Sequence, residues 1–306
     1  MKYFHPKKYW RLTKEWLHNM FWYYLVPDRW EIQYHFRKMV GYTPNLKHPQ
    51  SFNEKIQWLK LNDHDSRYPD LIDKIKVKEI VGQLIGDEYI IPTLFGPYKD
   101  ARDIPWKQLP NQFVVKCNHD AASAIVCKDK SSLNIDSAIS KLNACLKKNY
   151  YHDLGKQWGY KNVEPRVFVE KYMEDYQYDD LVDYKFMFFN NVCKCLFTCI
   201  ERKSATGLKL NFYTPDWKLM PFIRKYPSTT YSEPKPKTLD KMLDLAQKLA
   251  DYVDNSFVRI DLYDINGKIY FGEFTFYPGG GFEDFKPVEW DYTLGSWIDL
   301  SRVIKR

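Results

Sequence analysis

One segment near the C-terminus constrains the fold of this chain more than any other. Residues 257–275 contain two β-prone runs separated by Asn266-Gly267, a pair that favours a β-hairpin turn. After two more residues come Pro278 and three consecutive glycines. Because side chains alternate along a strand, one face of the predicted hairpin is apolar and faces the core, while the other face carries charged residues.

The charged face holds an arginine and two carboxylates. Arg259 and Asp261 share one face of the first strand, and Glu273 lies on a matching face of the second. Hard oxygens hold Mg²⁺, arginine binds phosphate, and backbone N–H groups after Pro278 can bind an anion. The pattern therefore predicts a magnesium–triphosphate site. An ordinary exposed charged face is the alternative, but it would not require the Pro-Gly-Gly-Gly sequence.

The turn decides whether the two carboxylates meet. A two-residue loop at 266–267 would pair Asp261 with Gly272 and leave Asp261 and Glu273 on opposite faces. A three-residue loop would put both on one face, with Gly267 at positive φ. We predict the three-residue loop, because a shared metal site requires a shared face.

Two earlier segments carry weaker signals for nucleotide binding. Lys116 ends a β-prone run and enters a polar loop at residues 118–123, so that it can lie along a phosphate chain. A later apolar strand ends in Glu170-Lys171-Tyr172, where backbone groups can pair with an adenine edge. Each signal is ordinary by itself. Their order ahead of the C-terminal hairpin is the informative observation.

Helical patterns dominate the first part of the chain. Ser51 and Glu54 have the spacing of a capping box, which predicts a helix start. Apolar residues recur at helical spacing in three later segments. We predict helices over residues 71–84, 135–145 and 238–253, and a hairpin over residues 184–200 that turns at Asn190-Asn191.

Composition narrows the classes of function. A chain of 306 residues suits two lobes that share a cleft. Its net charge of +7 suits anionic partners such as nucleotides or acidic glycans, and it carries no nucleic-acid-binding motif. The six cysteines lack disulfide or zinc spacing, and no apolar run reaches about 18 residues. We therefore expect a cytoplasmic protein.

The first 24 residues combine basic and aromatic side chains. Trp10, Trp16 and Trp22 are interleaved with Arg11 and Lys14. A helix of this composition can lie in a membrane interface, here the inner membrane face. It can also dock on its own domain, and the sequence leaves both interpretations open.

The order of these segments resembles the ATP-grasp superfamily. A strand lysine, an apolar strand ending in Glu-Lys-Tyr-Met and a final Arg-x-Asp…Glu-x-Thr-x-x-Pro-Gly occur in that order. The final hairpin looks like the corresponding segment of D-alanine–D-alanine ligases. Across nearly the whole chain the sequence is most similar to the TupA-like ATP-grasp family of bacterial surface-polymer gene clusters. The segments that carry this resemblance are residues 45–55, 109–119, 183–186 and 272–279.

The resemblance implies an α+β ATP-grasp fold, in which two α+β subdomains clasp ATP. On this basis we expect a mainly helical N-terminal region at residues 1–98. The small subdomain would follow at residues 99–172. The large subdomain, with the metal and catalytic site, would occupy residues 173–306.

The resemblance also implies which residues bind the nucleotide. Lys116 would contact the α- and β-phosphates of ATP. Glu170, Lys171 and Tyr172 would form the adenine hinge. Asp183 belongs to one of the matching segments and is a further candidate for nucleotide binding.

Catalytic and metal-binding roles follow from the same resemblance. Asp261 and Glu273 would bind Mg²⁺, and Arg259 would stabilise an acyl phosphate. Lys185 would be a second contact to phosphate or substrate. His119 is a candidate general base, with a loop hydrogen bond as the alternative role.

Three further positions are candidates for substrate binding: Thr275, Gly279 and Gly280. Thr275 stands where the superfamily commonly has an asparagine that binds the metal. The implied reaction is ATP-dependent ligation of a carboxylate to an amine, which would join an amino acid to a uronic acid of a surface polysaccharide. A glycosyltransferase and a kinase acting on a sugar or glycan are the alternatives that the sequence leaves open.

Overall fold

The computed structural model describes residues 25–120, 122–153, 155–176, 180–201 and 207–304. The basic aromatic helix predicted within the first 24 residues lies outside these ranges. Among the described residues, no helix is both long enough and apolar enough to cross a membrane.

Four helices precede the first strand in the part of the chain that is described, and the later helices alternate with groups of strands. The helices are α1 (Asp28–Val40), α2 (Phe52–Asn62), α3 (Tyr68–Ile72), α4 (Lys76–Ile85), α5 (Ile135–Leu146), α6 (Tyr150–Asp153), α7 (Leu239–Val253), α8 (Glu289–Ser296) and α9 (Ser301–Ile304). The strands are β1 (Thr93–Tyr98), β2 (Phe113–Cys117), β3 (Ile125–Cys127), β4 (Val167–Lys171), β5 (Asp183–Phe189), β6 (Val192–Ile200), β7 (Lys209–Tyr213), β8 (Ile223–Arg224), β9 (Phe257–Ile265), β10 (Lys268–Thr275) and β11 (Phe285–Lys286).

The smaller of the two main sheets has four antiparallel strands in the order β1-β4-β2-β3. Side chains of β2 alternate, so that Phe113 and Val115 enter the core and Lys116 lies on the opposite face. Helix α5 forms at the predicted place and packs against β2, where it adds Leu142 to the same core. Lys116 therefore lies on the face of the sheet away from α5.

The larger sheet has five antiparallel strands in the order β10-β9-β5-β6-β7. Helix α7 covers one face with an apolar stripe that includes Met242 and Leu249, both fully buried. The opposite face carries the charged residues of β9. The predicted turn at Asn190-Asn191 is confirmed, since Phe189 pairs with Val192 across it.

The hairpin of β9 and β10 brings the two carboxylates together, but not by the predicted route. Its turn consists of the two residues 266–267, so the predicted three-residue loop is wrong. The extra residue is instead Gly272, a β-bulge in β10. Beyond this bulge Glu273 pairs with Asp261, which restores the shared face. The positive φ predicted for Gly267 is confirmed, at 81°.

The helix predicted over residues 71–84 is interrupted. Asp73 ends α3, and its Oδ1 accepts hydrogen bonds from the backbone N–H groups of Ile75 at 2.8 Å and Lys76 at 3.3 Å. Its Oδ2 accepts from Nδ2 of Asn118 at 2.8 Å. The spacing of the apolar residues in this segment gives no sign of the break, because the Asp73 carboxylate that causes it is held by Asn118, a residue distant in the sequence.

The N-terminal helices share their core with the larger sheet. Helix α2 begins at the predicted capping box, with the Glu54 N–H donating to Oγ of Ser51 at 3.2 Å. The ring of Phe52 contacts those of Phe189 and Phe257 at centroid distances of 6.2 Å and 5.1 Å. The first helices are therefore not a separately packed unit.

Strand β1 bears on the proposed division into domains. It pairs with β4 in the smaller sheet, although it precedes the predicted start of the small subdomain at residue 99. This pairing joins residues of the predicted N-terminal region to the smaller sheet. The division into domains stays a prediction.

The bulge at Gly272 generates a test. A β-carbon at this position would lie 3.0 Å from the carbonyl oxygen of Asp261 and 3.1 Å from the ring of Tyr263. We expect Gly272→Ala to lower the free energy of unfolding by about 1–3 kcal/mol through overpacking, measured by urea denaturation. The control is Gly267→Ala, which meets no atom within 4 Å and adds only the strain of its positive φ. Equal losses in both variants would contradict the crowding argument.

Candidate functional site

A cavity of about 570 Å³ lies between the two main sheets. Its wall is shared by the smaller sheet, the larger sheet and helix α4. The lining residues include Val77, Lys78, Val114, Lys116, Val126, Glu170, Tyr172, Tyr263, Phe271 and Gly272. Apolar side chains of this kind can enclose a flat ring, and the lysines provide positive charge beside it.

Glu170 fixes two lysines in the cavity wall. Its Oε2 lies 2.6 Å from Nζ of Lys116, and its Oε1 lies 2.6 Å from Nζ of Lys78. Burial raises the pKa of the Glu170 carboxyl, but the charges of Lys116 and Lys78 outweigh burial and lower that pKa below its usual range. Glu170 is therefore an ionised anchor that places two ammonium groups side by side.

The other two predicted hinge residues also line the cavity. The backbone N–H of Lys171 donates to the carbonyl of Pro92 at 3.0 Å, so it is already used within the protein. Tyr172 is half-buried, and Nζ of Lys128 lies 5.8 Å from its ring centroid. Beyond Lys171 the chain leaves strand β4 and continues along the cavity wall.

Four charged side chains converge on the polar face of the larger sheet. Arg259 donates to both carboxylate oxygens of Asp261, with Nε 2.6 Å from Oδ1 and Nη2 2.7 Å from Oδ2. The same Nη2 lies 3.1 Å from Oε1 of Glu273. Lys185, on the neighbouring strand β5, donates to Oδ2 of Asp261. The structure thus brings together four of the residues that the sequence analysis selected.

The pKa of the buried Asp261 carboxyl depends on these cations. It is 1% exposed, and burial by itself raises the pKa of its carboxyl. The charges of Arg259 and Lys185 outweigh that effect and hold the pKa of Asp261 below its usual range. Glu273 is more open, with 35% of its side chain exposed.

Lys74 links this charged cluster to the cavity. It lines the cavity, and its Nζ lies 3.8 Å from Oε2 of Glu273. The same Nζ donates to the carbonyl oxygen of Asp120 at 2.5 Å. The sequence analysis did not select Lys74 or Lys78, because both lie in a segment interpreted as one amphipathic helix. The signal that was available is the Asp73 side chain, a helix-start residue within that segment.

Two further predicted residues lie beside the cluster. Asp183 Oδ1 is 3.7 Å from Nζ of Lys185, so it shares that lysine with Asp261. The hydroxyl of Thr275 donates to Oε1 of Glu273 at 3.2 Å. Both contacts orient charged neighbours.

His119 is not among the cavity-lining residues. Its side chain is 2% exposed, and its ring packs edge-on against Tyr150 at 5.7 Å between centroids. Burial lowers the pKa of this histidine. In the same loop, Oδ1 of Asp120 accepts from the hydroxyl of Ser123 at 2.5 Å, so this carboxylate is held inside the loop. The His119 ring thus lies against Tyr150, and its role as a general base stays a prediction.

Side chains of helix α2 bind the carbonyl groups of the glycine-rich turn that follows β10. Lys60 Nζ donates to the carbonyl of Gly280 at 2.6 Å, and Gln57 Nε2 donates to the carbonyl of Gly281 at 2.6 Å. Gly279 and Gly280 have φ values of 58° and 64°, which favour glycine. Gly279 is exposed, whereas Gly280 is buried and its N–H donates to the carbonyl of Tyr277 at 2.9 Å. Of these two glycines, which are two of the three candidate substrate contacts, Gly279 is the exposed one.

The two carboxylates fit a magnesium site whose remaining ligands are phosphates and water better than a site whose ligands all come from the protein. No group of three or more metal-binding side chains occurs among the described residues. Glu273 and Asp261 pair across β10 and β9 and supply hard oxygens. Mg²⁺ is commonly held by one or two carboxylates, with phosphates and water completing its shell. The donor set matches that pattern.

Comparison with protein families decides where this chain belongs. The family described as TupA-like ATPgrasp matches residues 54–299, which include both sheets and every predicted site residue. The chain belongs to this family. Its fold is therefore the ATP-grasp fold, as predicted. No curated protein sequence matches the chain.

Solved structures similar to this member of the TupA-like ATP-grasp family share little sequence with it. D-alanine–D-alanine ligase from Bacillus anthracis, complexed with ATP, is 16% identical, with a TM-score of 0.38 over 68% of this chain and 54% of that chain. The L-amino acid ligase from Bacillus licheniformis is 12% identical, with a TM-score of 0.42 over 69% and 44%. N5-carboxyaminoimidazole synthetase from Staphylococcus aureus is 13% identical, with a TM-score of 0.38 over 67% and 44%. The chain spans about half the length of these proteins.

The two-lysine contact of Glu170 predicts a pH-dependent contribution to stability. We expect Glu170→Gln to cost about 3 kcal/mol at neutral pH, because it leaves two partly buried lysines without their carboxylate. A lowered folded pKa means that this stabilisation is present above the unfolded pKa and is lost as the pH falls through the folded pKa. Urea denaturation of both proteins between neutral and acidic pH measures the difference.

The matched control for this experiment is Glu174→Gln. Glu174 is exposed and lines the same cavity. We expect it to change the free energy of unfolding by less than about 0.5 kcal/mol. A gap between Glu170→Gln and wild type that stays constant with pH would contradict the ion-pair argument.

Proposed function

We propose that this protein is an ATP-dependent carboxylate–amine ligase. In this proposal it joins an amino acid to a uronic acid, or a similar carboxylate, of a bacterial surface polysaccharide. The observation that supports it best is the cluster of Arg259, Asp261, Lys185 and Glu273, which begins where the cavity between the sheets ends. Lys74 connects the cluster to the cavity, because it lines the cavity and its Nζ lies 3.8 Å from Oε2 of Glu273.

ATP is a substrate of this reaction, and the cavity has the features that ATP requires. Val77, Val114 and Val126 offer apolar surface for the adenine ring, next to the hinge residues. Lys78 and Lys116 would meet the phosphate chain nearest the base. Lys74, closer to Glu273, would meet the terminal phosphate. The nucleotide would therefore lie with its phosphates directed toward the charged cluster.

The same carboxylates would hold Mg²⁺. Glu273 would bind it with its exposed carboxylate, and Asp261 would do so through an oxygen now engaged by Lys185 or Arg259. When bound, the metal neutralises charge on the phosphates and the oxygens around them. Thr275 would orient Glu273 through the hydroxyl contact.

The remaining residues of the cluster would position the reactants. The substrate carboxylate attacks the γ-phosphate of ATP, ADP leaves, and an amine then displaces phosphate from the acyl phosphate to form an amide. Arg259 would orient the substrate carboxylate and stabilise the charge that develops on it, while Lys185 would balance the charge on the transferred phosphate. The proposed catalysis consists mainly of positioning and charge stabilisation, and it uses no cysteine or serine nucleophile.

An ADP-release assay tests this function. Glucuronate and galacturonate are each combined with a panel of amino acids, Mg²⁺ and ATP. We expect ADP release only when both a uronate and an amino acid are present, together with a product whose mass equals their sum minus water. ADP release with the sugar acid alone would indicate a kinase, and consumption of a nucleotide sugar without ATP would indicate a glycosyltransferase.

Glu273→Gln should lower the turnover in this assay by about 100-fold or more. The variant loses the charge of an exposed carboxylate but keeps its shape, so the fold should be retained. Asp261→Asn should lower turnover as strongly, with an added loss of stability because Asp261 is buried between two cations. Near-normal ADP release by Glu273→Gln would remove the proposed metal site, and Glu79→Gln, an exposed carboxylate outside the cavity wall, serves as the unaffected control.

Lys116→Ala tests the nucleotide site separately. We expect it to weaken binding of a non-hydrolysable ATP analogue by about 1–3 kcal/mol, the range of a charge-assisted hydrogen bond. Calorimetric titration measures the change, with Lys130→Ala, a lysine outside the cavity wall, as the control. An unchanged affinity would make Lys116 a partner of Glu170 only.

We further propose that the protein contacts an anionic membrane surface through α1. Trp30 and Tyr34 are 66% and 50% exposed, one helical turn apart, and Arg29, Arg37 and Lys38 are exposed around them. A double Trp30→Ser, Tyr34→Ser variant should sediment less with phosphatidylglycerol vesicles than the wild type. Tyr292→Ser, an exposed tyrosine on α8, is the control, and neutral phosphatidylcholine vesicles should bind neither protein. Unchanged sedimentation of the double variant would exclude this surface.

A further inference from the structure

A second buried arginine stands next to the catalytic cluster. Arg224 is 3% exposed and lies in the short strand β8, which pairs with β11. Its guanidinium carbon is 4.6 Å from the ring centroid of Phe197 and 5.3 Å from that of Phe212. The guanidinium carbon of Arg259 is 5.8 Å from the same Phe197 ring. The two guanidinium groups are therefore neighbours on one aromatic surface of the larger sheet.

The two guanidinium groups differ in whether their N–H groups have hydrogen-bond acceptors. Arg259 contacts Asp261 and Glu273 with hydrogen-bond geometry. Arg224 has Oε2 of Glu283 at 3.0 Å from its Nε, but without the geometry of a hydrogen bond. Its Nη1 is buried and has no hydrogen-bond partner among the described residues. A buried donor without an acceptor is costly, and a bound group that supplies the missing acceptor removes that cost.

The chemistry of the site indicates which ligand this is. A guanidinium group presents a planar fork that matches a carboxylate at two points. The carboxylate that reacts with ATP is already assigned to Arg259. An α-amino acid carries a second carboxylate two bonds from its amine, so the cation that binds it must lie close to the reacting atoms. Arg224 is the buried cation that shares the Phe197 ring with Arg259, the residue assigned to the reacting carboxylate.

We propose that Arg224 binds the carboxylate of the amine substrate, which makes that substrate an α-amino acid rather than a simple amine. This inference rests on the proposed ligase function and adds to it a residue that selects the substrate. Oε2 of Glu283 lies 3.0 Å from Nε of Arg224 and its Oε1 lies 3.7 Å from Nζ of Lys225, so Glu283 meets the Nε side of the guanidinium and leaves the buried Nη1 without an acceptor.

The first test uses the wild-type enzyme and needs no variant. Alanine is compared with alaninamide, and lysine with lysinamide, in the ADP-release assay with glucuronate or galacturonate. We expect kcat/KM for each amino acid to exceed that for its amide by at least about 10-fold, since the amide lacks the charge that Arg224 would bind. Equal use of acid and amide overturns the inference and leaves the ligase function standing. Absence of ADP release with every amine overturns both.

The second test uses variants. Arg224→Met keeps an unbranched side chain over Phe197 but removes the charge, and we expect it to raise the KM for the amino acid by about 10- to 100-fold. The KM for ATP should stay within about twofold, and the preference for acid over amide should disappear. If Arg224→Met folds poorly, Arg224→Lys retains the charge without the fork and should show a smaller rise of the same KM.

Glu283→Gln separates substrate binding from a structural role. It removes the carboxylate beside Arg224 but leaves the arginine in place. We expect the KM for the amino acid not to rise in this variant, even if the protein melts at a lower temperature. If Glu283→Gln raises that KM as much as Arg224→Met, or if Arg224→Met lowers only the melting temperature, Arg224 is a structural partner of Glu283 and the inference is wrong.

Discussion

Asp261 stays ionised inside this protein because Arg259 and Lys185 bind its carboxylate. Burying a lone carboxylate costs several kcal/mol, so each member of this group is stable there only together with the others. The three residues lie on the adjacent strands β9 and β5, and their register brings Lys185 directly across from Asp261. The pairing of these strands and the charge of the site therefore depend on each other. Glu273, on β10, extends the group toward solvent.

The position of Glu273 depends on one glycine. A regular hairpin with a two-residue turn would point Asp261 and Glu273 to opposite faces of the sheet. The bulge at Gly272 adds one residue to β10 and reverses the alternation from that point on. Because Gly272 has no side chain, it approaches the backbone of Asp261 closely and at the same time forms part of the cavity wall. The same residue thus joins the cavity between the sheets to the charged cluster.

The N-terminal helices belong to the site as well as to the fold. Lys74 and Lys78 flank the start of α4, and they reach Glu273 of the larger sheet and Glu170 of the smaller sheet. Ion pairs from one short segment therefore span both sides of the cavity. Lys60 of α2 also holds the glycine-rich turn, by donating a hydrogen bond to the carbonyl of Gly280. A nucleotide between the sheets would contact groups that are already fixed by these helices.

The sequence alone determined the family, the ATP-grasp fold, the capping box at Ser51, the helices α5 and α7 and the convergence of Arg259 and Asp261. The helices, the capping box and the shared face rest on side-chain alternation, helical spacing and capping, which act over a few residues. The family and its fold rest on the order of short motifs along the chain, which the sequence shows directly. Only the tertiary structure decided the bulge at Gly272, the break at Asp73, the burial of His119 and the lysine pair on Glu170. Each of these depends on contacts between residues distant in the sequence: Asn118 fixes Asp73, and Tyr150 packs on His119. A charged residue can be recognised in a sequence, but the partner that fixes its position is chosen by the packing of the whole chain.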